Sequence, residues 1–186
     1  MRILQEIEKH IKIDAEIEKF FYEECETNVF EKGQILSKHN KYNRSIYFVD
    51  EGLLRSFYQE NDKDITANFY SEGKISANID TLFKNQPSRY SIEAIEKSVI
   101  TSCNYEQLEK LCAVSLTAAN FSRYILGNLM LQMANRITYL QHMSAKEKYK
   151  NLLEENPDII LRAPLGMIAS YLGISQETLS RIRSEI

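Results

Sequence analysis

The sequence predicts an α+β protein: a β-rich barrel, then a long helix, then a C-terminal helix-turn-helix. Three observations support this fold class. Residues 28–104 contain many short β-rich runs separated by turn clusters, which is typical of a sandwich or barrel. Residues 105–142 have apolar positions at helical spacing. Residues 165–186 contain two short helical patterns on either side of Gly173-Ile174-Ser175. Two helices joined by about three residues around a glycine predict a helix-turn-helix.

The composition is that of a globular protein with an ordinary core. The chain has 186 residues, of which 44% are hydrophobic, so it is long enough for one large domain or two small ones. The formal net charge of −3 argues against a nonspecific nucleic-acid coat. No apolar run is long enough to cross a bilayer, and the N-terminus is charged from its start. We therefore expect a cytoplasmic protein with no membrane partner.

The cysteine and histidine residues predict neither a metal site nor a catalytic site. Cys25, Cys103 and Cys112 are odd in number and widely spaced, so we expect free buried thiols in a reducing compartment. A metal or cluster site is the alternative, but nothing resembles a C-x-x-C motif. A metal enzyme of the cupin type would need clustered His and carboxylate ligands. Of the three histidines only His39 lies in the β-rich region.

Several smaller elements follow from local patterns. Residues 3–24 predict one or two amphipathic helices, whose apolar positions are Ile3, Ile7, Ile11, Ile17, Phe20 and Phe21. A short helical piece is expected at 79–83. A further helix is expected over 144–156, ending before Pro157, and residues 158–163 are expected to form a short extended link. Two of the turn clusters in the β-rich region contain a glycine, at Gly33 and at Gly52.

The long helix has the apolar spacing of a coiled-coil seam, with steps of four, three, four and three residues. The seam residues are Leu126, Met130, Met133, Ile137 and Leu140. A core helix within one chain could show the same spacing over one or two heptads. No second long helix is available to pair with it, so the seam predicts a homodimer. The predicted domains are thus 1–115, with the N-terminal helices and the β-rich region; 116–142, the dimerisation helix; and 143–186, with the helix-turn-helix.

The second helix of the helix-turn-helix has a polar outer face. Gly173 can take the positive φ that ends the first helix, and Ser175 can cap the second, while the small Ala169 lets the two helices cross closely. Only Leu179 and Ile182 are apolar at core spacing. The side chains left to face outward are of the types that read base edges or hold phosphates. They are Gln176, Glu177, Thr178, Ser180, Arg181 and Arg183, and Ser175 precedes them. A helical hairpin that only packs is the alternative.

This order of elements, with the segment KEKYKNLLEENPDIILRAPLGMIASYLGISQETLSRIR, resembles the Crp/Fnr family of bacterial transcription regulators. It is most similar to the short members found in Bacteroidetes. The resemblance implies that 1–115 is a sensor domain with a cyclic-nucleotide-binding-like β-roll, 116–142 a dimerising helix, and 143–186 a DNA-binding domain with a winged helix-turn-helix. It also implies that Gly33, Gly52 and Gly73 are glycines at hairpin turns of the barrel. It also implies that Gln176, Glu177, Ser180 and Arg181 are the recognition positions, with Glu177-Thr178-Leu179-Ser180-Arg181 similar to the Fnr branch. Palindromic double-stranded DNA and RNA polymerase are the implied partners.

The predicted effector pocket departs from the cAMP-binding members of the family. Its residues are Gly73, Lys74, Ile75, Ser88 and Arg89. The resemblance implies a Glu for the ribose where Lys74 stands and an Arg for the cyclic phosphate where Ser88 stands. Arg89 comes one residue late, which in a strand turns a side chain to the other face. The N-terminal cysteine group of the iron–sulfur members is missing.

We therefore expect neither cAMP, nor haem, nor an iron–sulfur cluster as cofactor. The family implies a small-molecule or redox signal, which these residues do not name. The alternative is an effector-independent regulator or binding module, whose barrel is a scaffold or a protein-docking surface. The resemblance also implies a wing hairpin before the recognition helices, and the short stretch 158–163 indicates a reduced one.

Overall fold

A computed structural model describes residues 4–5, 8–10 and 12–185. In chain order, the elements begin with helix α1 (Ala15–Glu24). The strands are β1 (Cys25–Phe30), β2 (Ile35–Ser37), β3 (Ser45–Glu51), β4 (Leu54–Glu60), β5 (Lys63–Tyr70), β6 (Ile75–Ala77), β7 (Ser91–Ala94) and β8 (Ser98–Asn104), with helix α2 (Ile79–Lys84) between β6 and β7. The remaining helices are α3 (Tyr105–Cys112), α4 (Leu116–His142), α5 (Ala145–Glu155), α6 (Pro157–Arg162), α7 (Leu165–Leu172) and α8 (Gln176–Ser184).

The strands form a sandwich of two antiparallel four-stranded sheets, in the orders β1-β8-β3-β6 and β2-β7-β4-β5. Residues that face inward from both sheets are fully buried between them, among them Val49, Leu54, Ile92 and Ile100. This arrangement agrees with the β-roll that the short strands predicted. The short helix expected at 79–83 is α2.

The three predicted turn glycines all have positive φ, with values of 84° at Gly33, 97° at Gly52 and 77° at Gly73. Gly52 is doubly constrained, because a Cβ there would overlap the side chain and backbone of Ser98. Only glycine meets both requirements without strain. The sharp turn between β3 and β4 therefore depends on this residue.

A second core lies where α1, α3 and α4 pack against the first sheet. Phe21 of α1 is its centre, with ring centroids 5.3 Å from Phe48 and 5.6 Å from Phe121. The side chain of Asp14 caps α1 by accepting from the backbone N–H groups of its first turn. The predicted burial of Ile17, Phe20 and Phe21 is confirmed. The predictions for Ile3, Ile7 and Ile11 lie outside the described residues.

The expectation of three free thiols is wrong for two of them. Cys25 and Cys103 form a disulfide with a Cα–Cα distance of 4.5 Å, and Cys112 is free and partly buried. The antiparallel register of β1 and β8 places the two cysteines directly opposite each other. Because 78 residues separate them, spacing alone could not predict the pair. The cysteines thus lose their value as an argument for a reducing compartment.

Residues 158–163 were expected to be extended, and this prediction is also wrong. Residues 158–162 belong to helix α6, which has Pro157 in its first turn, and Ala163 is the C-cap of that helix. Ser144 caps the N-terminus of α5 with a capping box. Proline suits the first helical position, since its missing N–H would have no partner there. Ile159 is buried among the C-terminal helices. Packing therefore outweighs the β-branched character of the segment.

We predict that Phe21→Ala lowers the free energy of unfolding by about 3–5 kcal/mol, because it removes a fully buried ring from the second core. Tyr22→Ala is the matched control: the neighbouring side chain is 89% exposed, and its loss should cost under about 0.5 kcal/mol. Urea denaturation followed by circular dichroism measures both. Equal costs for the two variants would contradict the packing of α1.

Candidate nucleic-acid interface

Helices α7 and α8 form the helix-turn-helix that the sequence predicted. Gly173 takes φ 70° and ends α7. The backbone N–H of Ile174 donates to the carbonyl of Ala169 at 3.0 Å, which satisfies one of the last carbonyls of the helix. The side chain of Ser175 accepts from the N–H of Thr178 and caps α8. The positive φ of Gly173 and these two hydrogen bonds therefore fix the turn.

The two helices share one apolar core with α5 and α6. Ile168, Ala169 and Leu172 of α7 are buried together with Leu179 and Ile182 of α8. Tyr149, Leu152 and Ile159 close the same core from α5 and α6. Leu179 and Ile182 thus bury one face of helix α8, and most of its other side chains are exposed.

Most of the predicted recognition side chains are exposed. They are Ser175, Gln176, Glu177, Ser180, Arg181 and Arg183, and Thr178 is partly buried. Gln176 packs on α7, since a Cβ at Gly166 would lie 2.5 Å from its Nε2. Sequence reasoning missed Gly166, which leaves the space that Gln176 occupies. Its signal was a glycine inside a helical pattern.

Glu177 and Arg181 are four residues apart on α8, a spacing that allows an ion pair, but these two described residues form none within 4.0 Å. A hydrogen bond with the side chain of Ser175 is the main cause that lowers the pKa of Glu177, and the charge of Arg181 contributes least. Glu177 is therefore ionised at neutral pH. The guanidinium of Arg181 remains available to a partner.

No wing hairpin precedes the two helices of the helix-turn-helix in the described part of the chain. Between α5 and α7 the chain forms helix α6, and residues 143–185 contain no strand. The resemblance indicated a reduced hairpin here, and this expectation is corrected.

Arg162 joins the C-terminal helices to the barrel. Its guanidinium donates to both carboxylate oxygens of Glu72, at 2.9 and 3.0 Å, and to Glu96. Glu72 also accepts from the backbone N–H of Gly52 at 2.9 Å. Burial disfavours the ionised form of Glu72, but the bonds from Arg162 and Gly52 outweigh it and hold its pKa below the usual range. The same carboxylates raise the pKa of Arg162.

Helix α7 rests directly on strand β5. The Ser170 hydroxyl accepts from the N–H of Thr66 at 2.9 Å and donates to the carbonyl of Asp64 at 3.2 Å. The buried Arg55 donates to the carboxylate of Asp64 at 2.8 Å and to Thr66 at 3.0 Å, so it orders the strand at this point. These polar contacts stand beside an apolar one, since Phe69 of β5 is buried in the same cluster as Ile168 of α7.

Above this contact lies a cleft of about 360 Å³. Its walls come from the end of β5 and the β5–β6 turn, from the C-terminal half of α4, and from helices α5 to α7. Phe69, Tyr139 and Tyr171 form an aromatic cluster at this junction, with centroids 5.2 Å apart for Phe69–Tyr171 and 6.1 Å for Tyr139–Tyr171. The cleft thus touches the barrel, the long helix and the helix-turn-helix.

The residues predicted for an effector pocket are dispersed. Lys74 is exposed and lines the cleft, whereas Ile75 lies in the second core. The buried Ser88 donates its hydroxyl to the carbonyl of Tyr90 at 2.6 Å. Arg89 is exposed and pairs with Asp80 at 2.8 Å. Gly73 forms the β5–β6 turn.

The predicted seam of α4 faces solvent in the single chain. Met130, Met133, Ile137 and Leu140 are 45–71% exposed, and Leu126 is partly buried. On the other side of the same helix, Ala118, Phe121, Ile125 and Tyr139 are buried against the chain itself. The helix therefore has one covered face and one uncovered apolar face.

No three His, Cys, Asp or Glu side chains among the described residues come together as metal ligands. No helix in the described ranges is long and apolar enough to cross a membrane.

Comparison with known proteins agrees with this architecture. Residues 27–115 match the family model described as "Cyclic nucleotide-binding domain". No curated protein sequence matches the chain. FixK2 from Bradyrhizobium japonicum superposes with a TM-score of 0.73 at 20% identity, over 87% of this chain and 83% of that one. A CooA mutant from Carboxydothermus hydrogenoformans gives 0.70 at 18% identity, over 98% and 83%.

A third solved structure, a transcriptional regulator of the Crp/Fnr family from Eubacterium rectale, gives a TM-score of 0.70 at 18% identity, over 91% of this chain and 82% of that one. The chain therefore has a cyclic-nucleotide-binding-like sandwich and the overall fold of the Crp/Fnr regulators. The predicted fold class and the resemblance to this family are both confirmed.

We predict that Arg162→Gln loosens the helix-turn-helix from the barrel, because it removes the double ion pair with Glu72 and Glu96. Limited proteolysis at the α4–α5 connection, around Met143, should become faster than in the wild type. Arg183→Gln is the matched control, since Arg183 is exposed and forms no ion pair within the described residues. Equal cleavage rates for all three proteins would contradict the role of Arg162.

The same contact should respond to acid. The ionised Glu72 stabilises the docked arrangement, and its folded-state pKa lies below the usual value. Its contribution is therefore complete above the usual carboxyl pKa and is lost as the pH falls through the lowered one. Cleavage of the wild type should approach that of Arg162→Gln over this acidic range.

Proposed function

We propose that the chain is a homodimeric, sequence-specific DNA-binding transcription regulator of the Crp/Fnr type, acting in the cytoplasm. The observation that carries the proposal is the outer face of α8. Directly after a well-capped turn it presents Gln176, Glu177, Ser180 and Arg181, all exposed. Arginine can bind guanine O6 and N7 with two hydrogen bonds, and glutamate can accept from cytosine N4.

The proposed dimer follows from the two faces of α4. Its buried face already serves the chain's own core, whereas the seam centred on Met133 has no partner among the described residues. A stripe of exposed methionine and aliphatic side chains on a monomer marks an interaction surface. A second copy of the same helix satisfies it by coiled-coil packing, and the two recognition helices are then related by a two-fold axis.

Charge supports the need for two subunits. Arg162, one of three arginines in the C-terminal segment, is committed to Glu72 and Glu96. Of the three arginines from Arg162 onward, Arg181 and Arg183 remain exposed for phosphates and bases. Because nonspecific DNA affinity grows with the number of phosphates neutralised, one subunit contributes little. RNA polymerase is the further partner that the family resemblance implies.

The alternative, in which the barrel is a scaffold without an effector in its cyclic-nucleotide position, is favoured by two contacts. Arg89 is held by Asp80, and the Ser88 hydroxyl is bonded to Tyr90. Neither presents a free group to a cyclic phosphate. These contacts support the expectation that cAMP is not the signal, and they leave the DNA-binding proposal unchanged.

We predict that the protein is a dimer at micromolar concentration and that Met133→Glu makes it a monomer, because the substitution places unpaired charges at the centre of the seam. Leu161→Glu is the control: Leu161 is 82% exposed on α6, away from the seam, and this variant should stay dimeric. Sedimentation velocity distinguishes the states. A monomeric wild type would rule out the seam as an interface.

The operator should be a palindrome whose half-sites are about 34–36 Å apart, one turn of DNA. By family resemblance each half-site should contain a TGA-like core. Selection from a random DNA pool by the purified protein tests both points. Recovery of sequences without two-fold symmetry would contradict the dimeric arrangement, and failure to select any sequence would contradict specific binding.

Arg181→Ala should cost about 1–3 kcal/mol per half-site and relax preference at the guanine position alone. Arg183→Ala should weaken all sequences evenly and reduce the salt slope by about one. Competition between single-base operator variants measures both effects. If Arg181→Ala weakens every operator by the same factor, Arg181 contacts phosphate instead, and this assignment of the helix is wrong.

A further inference from the structure

We propose that the cleft between the barrel, helix α4 and the helix-turn-helix is a binding site for a small hydroxylated organic anion. The cleft measures about 360 Å³, within the range of sites that hold metabolite-sized ligands. It lies outside the stretch around Ser88 and Arg89, and only Lys74 of the predicted effector residues lines it. The assignment rests on three features of its walls.

The first feature is the guanidinium of Arg136, on α4. Its Nη2 donates to the carbonyl of Tyr171 at 2.6 Å, and its central carbon lies 4.0 Å from the centroid of the Tyr171 ring. Its Nη1 is buried without a hydrogen-bond partner in the described part of the chain. Arg136 also forms no ion pair there, and burial lowers its pKa. A buried cationic N–H without an acceptor is costly, and an anion in the cleft would remove that cost.

The second feature is the charge of the cleft. Lys74 stands on the barrel side, exposed, and forms no ion pair with a described residue. Glu155 of α5 is the one carboxylate in the lining. Two cations against one carboxylate favour a ligand with net negative charge. Arginine and lysine together suit a phosphate or carboxylate group.

The third feature is an unusual set of amide side chains. Five line the cleft, and none has a side-chain hydrogen bond to a described residue: Asn68, Gln132, Asn135, Asn151 and Asn156. Each amide offers both donors and an acceptor. Hydroxyl groups, which also donate and accept, are the natural complement to such a surface. The rings of Phe69, Tyr139 and Tyr171 would shield part of a bound ligand from water.

The cleft and the seam use different sides of α4. On a helix with 3.6 residues per turn, Gln132, Asn135 and Tyr139 point away from Met133 and Ile137. A ligand in the cleft therefore does not compete with dimerisation. It would contact Asn68 of the barrel and Tyr171 of the helix-turn-helix at once, so it could bias their relative position. This regulatory consequence rests on the proposed function, whereas binding itself does not.

Isothermal titration calorimetry of the full chain tests the site with four probes: glucose 6-phosphate, gluconate, inorganic phosphate and glucose. We expect at least one of the two hydroxylated anions to bind at least about tenfold more tightly than inorganic phosphate and glucose. Binding of glucose 6-phosphate alone identifies a phosphate head group, and binding of gluconate alone identifies a carboxylate. Binding of neither, or equal binding of all four probes, overturns the proposal.

Variants locate the binding. Asn135→Asp keeps the shape of the side chain and adds a negative charge, so it should weaken the anion about tenfold or more. Lys74→Gln should weaken it in the same direction. The controls, Asn128→Asp on the same helix face two turns earlier and Lys41→Gln on the barrel surface, should change affinity less than about twofold. Arg136→Gln is a poorer test, because it also breaks the contact with Tyr171.

Anion binding that is unaffected by both Asn135→Asp and Lys74→Gln would place the ligand elsewhere and refute this site. DNA binding by each variant, measured without ligand on the selected operator, separates the two proposals. Loss of anion binding with intact DNA binding supports the site. Anion binding by a protein that selects no DNA would leave the site standing and remove the proposed function.

Discussion

Helix α4 has apolar residues on two different sides, and both sides have to be shielded from water. The rest of the molecule is arranged around that constraint. One side buries Phe121 and Ile125 against the sandwich and Tyr139 against the C-terminal helices. The other side exposes a row of apolar residues around Met133. A helix that is apolar on both sides is stable in water only when both are covered. The sandwich and the helix-turn-helix cover one side, and the proposed second subunit covers the other.

The contacts that join the two ends of the chain are both apolar and polar. Leu53 and Phe69 of the barrel are buried in one cluster with Ile168 and other residues of the C-terminal helices. Polar groups such as Arg162 and Ser170 add direct contacts beside this cluster. Partly exposed ion pairs contribute little to stability, so the shared apolar cluster is the larger part of what holds the C-terminal helices against the barrel.

The sequence predicted the elements whose signals are local. The turn at Gly173, the cap at Ser175 and the seam of α4 depend on residues within a few positions of each other. Features that depend on residues far apart in the sequence were not predicted. The disulfide needs the register of β1 and β8, and helix α6 forms because Ile159 finds a core. The cleft brings together Lys74 and Arg136, which lie far apart in the sequence. Lys74 was predicted to line a pocket with Ser88 and Arg89, whereas in the structure it lines this cleft.

Helix α7 is one route by which the cleft could be coupled to α8, the proposed recognition helix. Helix α7 contributes Tyr171 to the cleft and rests on β5 through Ser170, while its buried face supports α8 through Ala169 and Leu172. A ligand changes an equilibrium only by its difference in affinity for the two states. An anion that bound two arrangements of the C-terminal helices equally well would therefore leave the proposed DNA affinity unchanged. Contact with Tyr171, which Arg136 already holds, gives a ligand in the cleft a way to distinguish such arrangements.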